Sequence, residues 1–584
     1  MPNIYTMMDI GRWALNTSTR QLDTISHNVA NVNTEGYSRQ EVVQSTRNPE
    51  WTPQGYYGRG VKVSNVIQHV DGLLVRRISD KLSNREYYDK HYTQLKRIET
   101  LANESGETSI GKLITSFFNS WQDVANNPTS SAVREVLKED ANNLTNRLHT
   151  LMRDLSVIKR DMGTFLSDAV TEVNSICRRI AELNGEIAFG EAIGKSANDF
   201  KDERRRQINK LAELMNIQWF EDAQGAVTIQ TGGGKTLVQS GYPSSRDSDP
   251  LEFKSMSGYD YNQVVWGNDL VLDSNEISGG KIGAWLKLRD SDLPDLESFF
   301  NGLAENLVWE VNKLHTQGVG LDKFTDVTGT YQSSSDTVAF NSSSNTLAFG
   351  DKIEDGTFDI WVYDSGTRRQ YTINVYATDT LTTLKDRINL AMGSGGTPNL
   401  NPSVNPVASI TSDHKLRLRT ESGLEFAFAN DSSNVLAALG INTFFDGHTA
   451  TGIAVNSTIS DNVRYIAAGQ LLDDGEHALG DNRNALELAD LKDDDTMSGG
   501  TETFNEAIIS NAADLGTQVA SDKDNYEFAE AAADELKNQR DATSAVNLDE
   551  EMVKMIRYQR GYQMAAKVIS VADSLMAALL DLKR

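Results

Sequence analysis

Few residues in this 584-residue chain have the types and spacing that chemistry demands. The strongest candidate is TGGGKT, residues 231 to 236. A phosphate loop cradles an anion with backbone N–H groups and a lysine, and it requires a glycine five positions before its last one. Ile229 stands there, and it alternates with Val227. The stretch therefore reads as a hairpin turn that carries Lys235. LKDDDTMSGG, residues 491 to 500, has the carboxylate density of a calcium loop. Met497 occupies the fifth ligand position, however, and Ser498 the place of the obligatory glycine. It reads as a solvated acidic loop. The eight histidines form neither HxxxH nor HExxH, and a single cysteine excludes a cysteine-based zinc site. No G-x-S-x-G elbow presents a serine nucleophile. A nucleotide hydrolase, or a surface hydrolase hidden in a β-rich segment, thus rests on the glycine–lysine turn alone. No catalytic residue, cofactor or metal is assigned.

The totals narrow the class further. With 56 Lys and Arg against 82 Asp and Glu, the formal charge is -26, which argues against a nucleic-acid partner. Cys177 lies between Ile176 and Arg178 in a helical pattern and reads as a packed thiol, with no intrachain disulfide possible. That suits the cytosol or an export route that meets no disulfide-forming machinery. MPNIYTMMDIGRW has no basic region followed by an apolar stretch, so no cleaved signal peptide is expected. No uninterrupted run of eighteen apolar residues is present, so membrane insertion is not expected either.

The elements around these loops are mostly helical. Ile4, Met8, Gly11, Leu15, Ser18, Leu22, Ile25 and Val29 are spaced 4, 3, 4, 3, 4, 3, 4, the period of a coiled-coil seam. Near the other end Asn547 caps a second such row: Leu548, Met552, Met555, Tyr562, Ala566, Ile569, Met576 and Leu580. Val568, Val571, Leu575, Leu579 and Leu582 form a row beside it, and a face that wide needs more than one neighbour. Such helices are marginal alone, so the ends are expected to order on assembly. From Val133 to Ile187 apolar residues recur every three or four positions over 55 residues, a rod of roughly 80 Å at helical rise. Leu296 to Leu314 marks another helix. From about 325 the period drops to two. Phe358, Ile360 and Val362, the turn Asp364-Ser365-Gly366, and Tyr371, Ile373 and Val375 read as a hairpin, with a short helix over 379–388. The predicted fold class is α+β multidomain: a long helical, coiled-coil core from both termini and the central helices, with an inserted β-rich outer domain. The expected domains are 1–60 with 541–584, 61–324 with 454–540, and 325–453.

One stretch is unusual. SHNVANVNTEGYSRQ, residues 26 to 40, places asparagines, a glycine and a tyrosine directly behind the first seam. LDTISHNVANVNTEGYSRQ, residues 22 to 40, resembles the N-terminal motif of the axial proteins of the bacterial flagellum, and GYSRQ is similar to the hook-associated members at the hook–filament junction. FFNSWQDVANNPTSSAVREVL at 117–137, GGKIGAWLKLRDSDLPDLESFFNGLAENLVWEVNKLHTQG at 279–318 and SAVNLDEEMVKMIRYQRGYQMAAKVISVADSLMAALLDL at 544–582 resemble the same family in chain order. A hook or rod protein is the alternative; the 55-residue helical rod argues against it, since those proteins resemble the chain mainly at its ends.

The resemblance implies a structural subunit, not an enzyme. It is exported unfolded through the flagellar type III channel and forms a junction ring between hook and filament. Its implied partners are other copies of itself, the hook protein, a second junction protein leading to the flagellin filament, and a cytoplasmic export chaperone. The expected assembly interface combines Ile4, Met8, Leu15, Leu22, Ile25, Val29, Asn31, Asn33, Gly36, Tyr37 and Arg39 with Leu548, Met552, Met555, Tyr562, Ile569, Leu575, Met576 and Leu579. Asn31, Asn33 and Gly36 are expected to end the helix in turn or left-handed conformations, leaving Tyr37 and Arg39 to contact the next subunit. The expected chaperone face holds Val553, Ile556, Val568, Val571 and Leu582.

Overall fold

The structure is a computed structural model that describes residues 4–53, 55–102, 106, 108–239, 242–243, 249–267, 269–421 and 423–581. The chain opens with helix α1 (Ile4–Ala30) and four strands, β1 (Gln40–Thr46), β2 (Glu50–Thr52), β3 (Gly55–Tyr57) and β4 (Val61–Gln68). β1 pairs with β4 and β2 with β3, so a small hairpin rides on a larger one. Helices α2 (Gly72–Ala102), α3 (Ile110–Asn126), α4 (Ser131–Ala192) and α5 (Asn198–Leu214) follow. Ser130 caps α4, its Oγ accepting from the Val133 N–H at 3.5 Å, and the 62-residue helix contains the whole predicted rod.

Strands β5 (Ile217–Glu221), β6 (Val227–Thr231), β7 (Thr236–Gln239) and β8 (Tyr242–Pro243) form one sheet. β9 (Leu251–Lys254), β10 (Gln263–Trp266) and β11 (Leu270–Val271) form another. TGGGKT is the β6–β7 turn, closed by Thr231 N–H to the Lys235 carbonyl at 2.8 Å. Next come α6 (Gly280–Lys287), a π-helical turn at Leu288–Asp292, and α7 (Leu293–His315). The remaining elements are β12 (Asp326–Thr328), β13 (Gly356–Asp364), β14 (Thr367–Val375), α8 (Leu381–Ala391), β15 (Val407–Ile410), β16 (Leu416–Arg419), β17 (Glu425–Ala429), α9 (Val435–Leu439), β18 (Phe445–Asp446), β19 (Ala454–Val455), α10 (Ser457–Asp461), α11 (Arg483–Asp490), α12 (Phe504–Ser544) and α13 (Leu548–Asp581).

Two compact units divide the chain. One holds Met1–Leu95, Lys159–Ser291 and Val519–Arg584. Its core joins Val173 and Ile180 of α4 and Ile208 and Leu211 of α5 to Val227, Ile229, Val238 and Val264 of the two sheets. Cys177 is buried in this cluster, and burial raises its thiol pKa to about 12, so it stays protonated and inert.

The other unit holds Lys96–Ile158 and Asp292–Gln518. The predicted hairpin is β13–β14, turned by Ser365 and Gly366 at φ 46° and 95°, and α8 starts on a Thr380–Thr383 capping box. The units cut across the expected three-part division. Residues 61–95 and 159–291 group with the chain ends, and 325–453 groups with α3 and α7. The end of the β-rich segment packs on these helices. Phe444 and Phe445 pack on Phe117 at ring distances of 5.6 and 5.4 Å. The Asn312 side chain of α7 bonds the Phe444 and Phe445 N–H groups and the Phe445 carbonyl at 2.8–2.9 Å.

Candidate functional site

The chain ends meet in an antiparallel helix pair, whose line runs through Gly11, Ser18 and Ile25 of the α1 row and, on α13, beside the apolar row. On α1 the buried positions include Gly11, Ser18, Gln21, Ile25 and Asn28. On α13 they are Glu551, Ala565 and Ala572. The seam is small-residue packing. A methyl on Gly11 would stand 2.7 Å from Ile569 Cγ1 and 3.5 Å from the Ala565 carbonyl, and one on Gly561 would stand 3.5 Å from Ser18 Oγ. Gly11 and Ser18 looked like weak members of the repeat, yet they are where the helices approach closest. The large residues flank this line. Ile4, Met8, Leu15, Leu22 and Val29 are half-buried, as are Met555, Val568, Ile569 and Met576. Leu548, Met552, Val553, Ile556, Tyr562, Val571, Leu575 and Leu579 are exposed. Leu582 lies outside the described residues.

This geometry gives a graded prediction. Gly11→Ala sets a methyl 2.7 Å from Ile569 Cγ1, beside the branched and stiff Cβ, so the helices must part slightly, which offsets the roughly 1 kcal/mol of helix propensity gained. Gly11→Leu has no room and separates the helices. Circular dichroism and hydrogen exchange of residues 4–30 and 548–581 are expected to show protection modestly reduced in the first and lost in the second. Equal protection in both would refute the close approach.

A polar knot closes the wide end of the pair. Asn28 is fully buried and uses all four hydrogen-bonding positions of its amide. Its Oδ1 accepts from the Gln40 N–H at 3.0 Å and the Tyr37 hydroxyl at 2.8 Å. Its Nδ2 donates to the Gln40 carbonyl at 2.9 Å and to Glu551 Oε2 at 2.9 Å. The side chain thus copies one rung of a β ladder and binds α13 as well. Glu551 is 1% exposed, and its other oxygen takes Lys554 Nζ at 3.0 Å. Burial, with Asp199, Asp202 and Glu551 nearby, raises the Tyr37 pKa well above the usual range, so the phenol stays a donor.

The rest of SHNVANVNTEGYSRQ holds the knot in place. The Asn31 N–H and its Nδ2 both bond the His27 carbonyl, at 3.2 and 3.0 Å, and end α1; Asn33 lies exposed in the following turn. Gly36 alone of the three expected residues is left-handed, at φ 76°, and a methyl there would meet Arg206 Cγ at 2.9 Å. The Ser38 N–H donates to Asp202 Oδ2 at 3.1 Å, and Asp202 also pairs with Arg205. Burial still leaves the Asp202 pKa above the ordinary carboxylate value. The Arg39 N–H donates to the Ser544 carbonyl at 2.8 Å, and its guanidinium reaches Glu550 at 3.1 Å. Tyr37 and Arg39 were expected to meet the next subunit. Within the chain they join α1 to the α12–α13 bend, where the buried Asn28 and the last α12 carbonyls need partners. Asn28, Glu551, Asp202 and Ser544 were not singled out from the sequence. The one available signal was a charged residue, Glu551, standing fourteen and twenty-one positions before Ala565 and Ala572 on one heptad line.

What remains is an apolar face on α13 that α1 does not cover. By length and composition, Phe504–Asp581 contains a window apolar enough to cross a membrane, of which 11% is buried, although Lys567 and Asp573 interrupt the apolar run. Among the described residues no group of three His, Cys, Asp or Glu side chains is arranged to hold a metal ion.

Comparison with known proteins places this arrangement. Residues 8–37 match the model "Flagella basal body rod protein", and 538–582 match "Flagellar basal body rod FlgEFG protein C-terminal". Residues 95–329 match "Flagellar hook-associated protein FlgK helical domain". Flagellar hook-associated protein 1 of Salmonella typhimurium is 26% identical over 593 residues, 97% of this chain and 98% of the relative. Its Bacillus subtilis namesake is 26% identical over 247 residues, 41% of this chain and 48% of the relative. The solved flagellar hook junction protein FlgK from Burkholderia pseudomallei has the same fold, with a TM-score of 0.52 and 16% identity, over 79% of this chain and 98% of that one. Paired terminal helices with rod-protein signatures at both ends define a flagellar axial protein. Within that class the chain is similar to hook-associated protein 1 over nearly its whole length.

Proposed function

We propose that the chain is a structural subunit of the bacterial flagellum that forms the junction between hook and filament. The observation that carries the reading is the α1–α13 pair, locked at Asn28 and left apolar on its outer side. A single chain does not cover Val553, Ile556, Met564 or Leu579, so copies packed side by side supply what is missing. The subunit then works as an adaptor ring, touching the hook protein on one side and the next junction protein on the other. It catalyses nothing in this role.

Export as an unfolded chain fits the same residues. The knot joins positions 523 apart in sequence, so it forms only after both ends have emerged. One buried thiol leaves no disulfide to obstruct passage. Before export, the exposed Val553, Ile556 and Val571 offer a cytoplasmic chaperone an amphipathic helix to hold. The hook or rod alternative is weaker, since the rod-protein models match only the ends, 8–37 and 538–582. Electron microscopy of purified hooks carrying tagged protein tests the reading. Label confined to the distal hook end is expected; label along the hook or below it overturns the junction assignment.

A further inference from the structure

The TGGGKT turn at 231–236 meets a second glycine–lysine turn, Ser278-Gly279-Gly280-Lys281, at the start of α6. Asn216, in the α5–β5 link, ties the two together. Its carbonyl accepts from the Gly232 N–H at 2.9 Å, and its Nδ2 donates to Ser278 Oγ at 3.1 Å. Side chains fill the space that the glycines leave. A methyl on Gly232 would stand 3.3 Å from Asn216 Oδ1, and one on the adjacent Gly233 only 1.8 Å from Glu276 Oε2. On the other turn, a methyl on Gly279 would stand 2.7 Å from Ser83 Oγ and 3.0 Å from Asn216 Cβ. Asn216 thus has Ser83 of α2 beside one turn and Glu276 beside the other.

What gathers there is oxygen without a donor. Asn216 Oδ1, Glu276 Oε2 and Ser83 Oγ are all shut off from solvent and have no hydrogen-bond partner, and Ser83 is 3% exposed. Buried polar atoms are seldom left unsatisfied, so three at one crossing call for an occupant. The Leu214 carbonyl, at the negative end of α5, comes within 2.6 Å of where a Gly280 methyl would stand. No lysine of the two turns neutralises Glu276 Oε2, and Lys281 reaches Glu86 instead, at 3.7 Å. A carboxylate, an amide oxygen, a hydroxyl and a carbonyl are the ligand types of a hard divalent cation, calcium above all. Glycine is also the residue that lets backbone approach a bound ligand closely.

We propose that the crossing of the two glycine turns is a calcium site, with Glu276, Asn216 and Ser83 as its side-chain ligands. Only one ligand is ionic, so the site is weak. It fills at about 10⁻⁴–10⁻³ M, the range of extracellular calcium modules. The ion joins α2, the α5–β5 link and the start of α6, three segments far apart in sequence. The proposal is independent of the assembly reading above.

Calorimetric titration of calcium chloride into the full chain tests it. Sodium chloride at about 0.15 M suppresses binding to the acidic surface, since it screens exposed charges beyond about 8 Å. One calcium per chain is expected. Glu276→Gln keeps the shape and removes the charge, so it should weaken binding at least tenfold. Asn216→Asp adds a charge, so it should tighten binding roughly tenfold, because ligand charge sets calcium affinity. Magnesium chloride at the same concentration should compete poorly, because magnesium sheds its water reluctantly and demands a near-ideal octahedron. No binding above that of the screened surface overturns the proposal. So does binding that Glu276→Gln leaves unchanged, or that Asn216→Asp fails to tighten. Circular dichroism melts check that each variant folds, and Asn216→Asp decides alone should Glu276→Gln unfold.

Discussion

Asn28→Leu is expected to release α13 from α1 while the core of the same unit stays folded. The substitution leaves the Gln40 N–H and carbonyl without their side-chain partner, leaves the Tyr37 hydroxyl only His27 Nδ1 at 3.0 Å, and strips one oxygen of Glu551 at a site 1% exposed. Unpaired buried groups cost about 1–3 kcal/mol each, more when charged, so a local loss of about 3–5 kcal/mol follows. Hydrogen exchange reads it directly, because local opening reports local stability. Residues 4–30 and 548–581 should lose protection, and 208–238 should keep it. Pairing Asn28→Leu with Glu551→Leu should restore part of the loss, since the uncompensated carboxylate is then gone. If the double variant is no better than the single one, the Asn28–Glu551 bond is not what holds the ends together.

That pair also shows where reading the sequence stops. The existence of the long elements was legible. Apolar spacing marked a rod from Val133 to Ile187, inside the observed Ser131–Ala192 helix, and Asn547 marked the start of α13, where its Oδ1 accepts from the Asp549 N–H at 3.0 Å. Turn chemistry likewise placed the hairpin at Ser365-Gly366. Which side of a terminal helix meets its partner was legible on α1, where Gly11, Ser18 and Ile25 of the row are buried, but not on α13, where Glu551, Ala565 and Ala572 lie beside the row. A heptad row of large residues looks like the seam, yet a helix destined for several neighbours carries more than one such row. Within the chain the closest contact falls on Gly11, Ser18 and Ala565, because small residues let backbones approach. The larger flanks stay open for neighbours. Long-range polar pairings were equally hidden. Asn28 looked like one more turn-prone asparagine, and nothing local ties it to Glu551, 523 positions away. The same limit concealed the union of the β-rich segment with the helices, which depends on Asn312 bonding the backbone at 444 and 445.

His315 turns that union into a measurable acid sensitivity. The ring is completely buried on the last turn of α7, between Trp121 and Phe444 at centroid distances of 6.1 and 5.6 Å. Its Nδ1–H donates to the Asn442 carbonyl at 2.7 Å, and its Nε2 accepts from the Ala467 N–H at 2.9 Å. Only the neutral ring with its proton on Nδ1 can make both bonds. Burial, opposed by the Asn442 bond and aided by the charge of Arg134, lowers its pKa from 6.5 to about 4. The folded state therefore refuses a proton that the unfolded chain accepts. The stabilisation from this group is complete above about pH 6.5, declines as the pH falls, and is fully lost below about pH 4. A shift from 6.5 to about 4 corresponds to about 3 kcal/mol. His315→Gln, which offers a donor and an acceptor but does not titrate, should lower stability at pH 7.5 and flatten its fall between pH 6.5 and 4. Denaturant melts followed by tryptophan fluorescence across that range measure both. A variant whose stability falls as steeply with acid as the original would mean that other groups, not His315, set the acid limit of this unit.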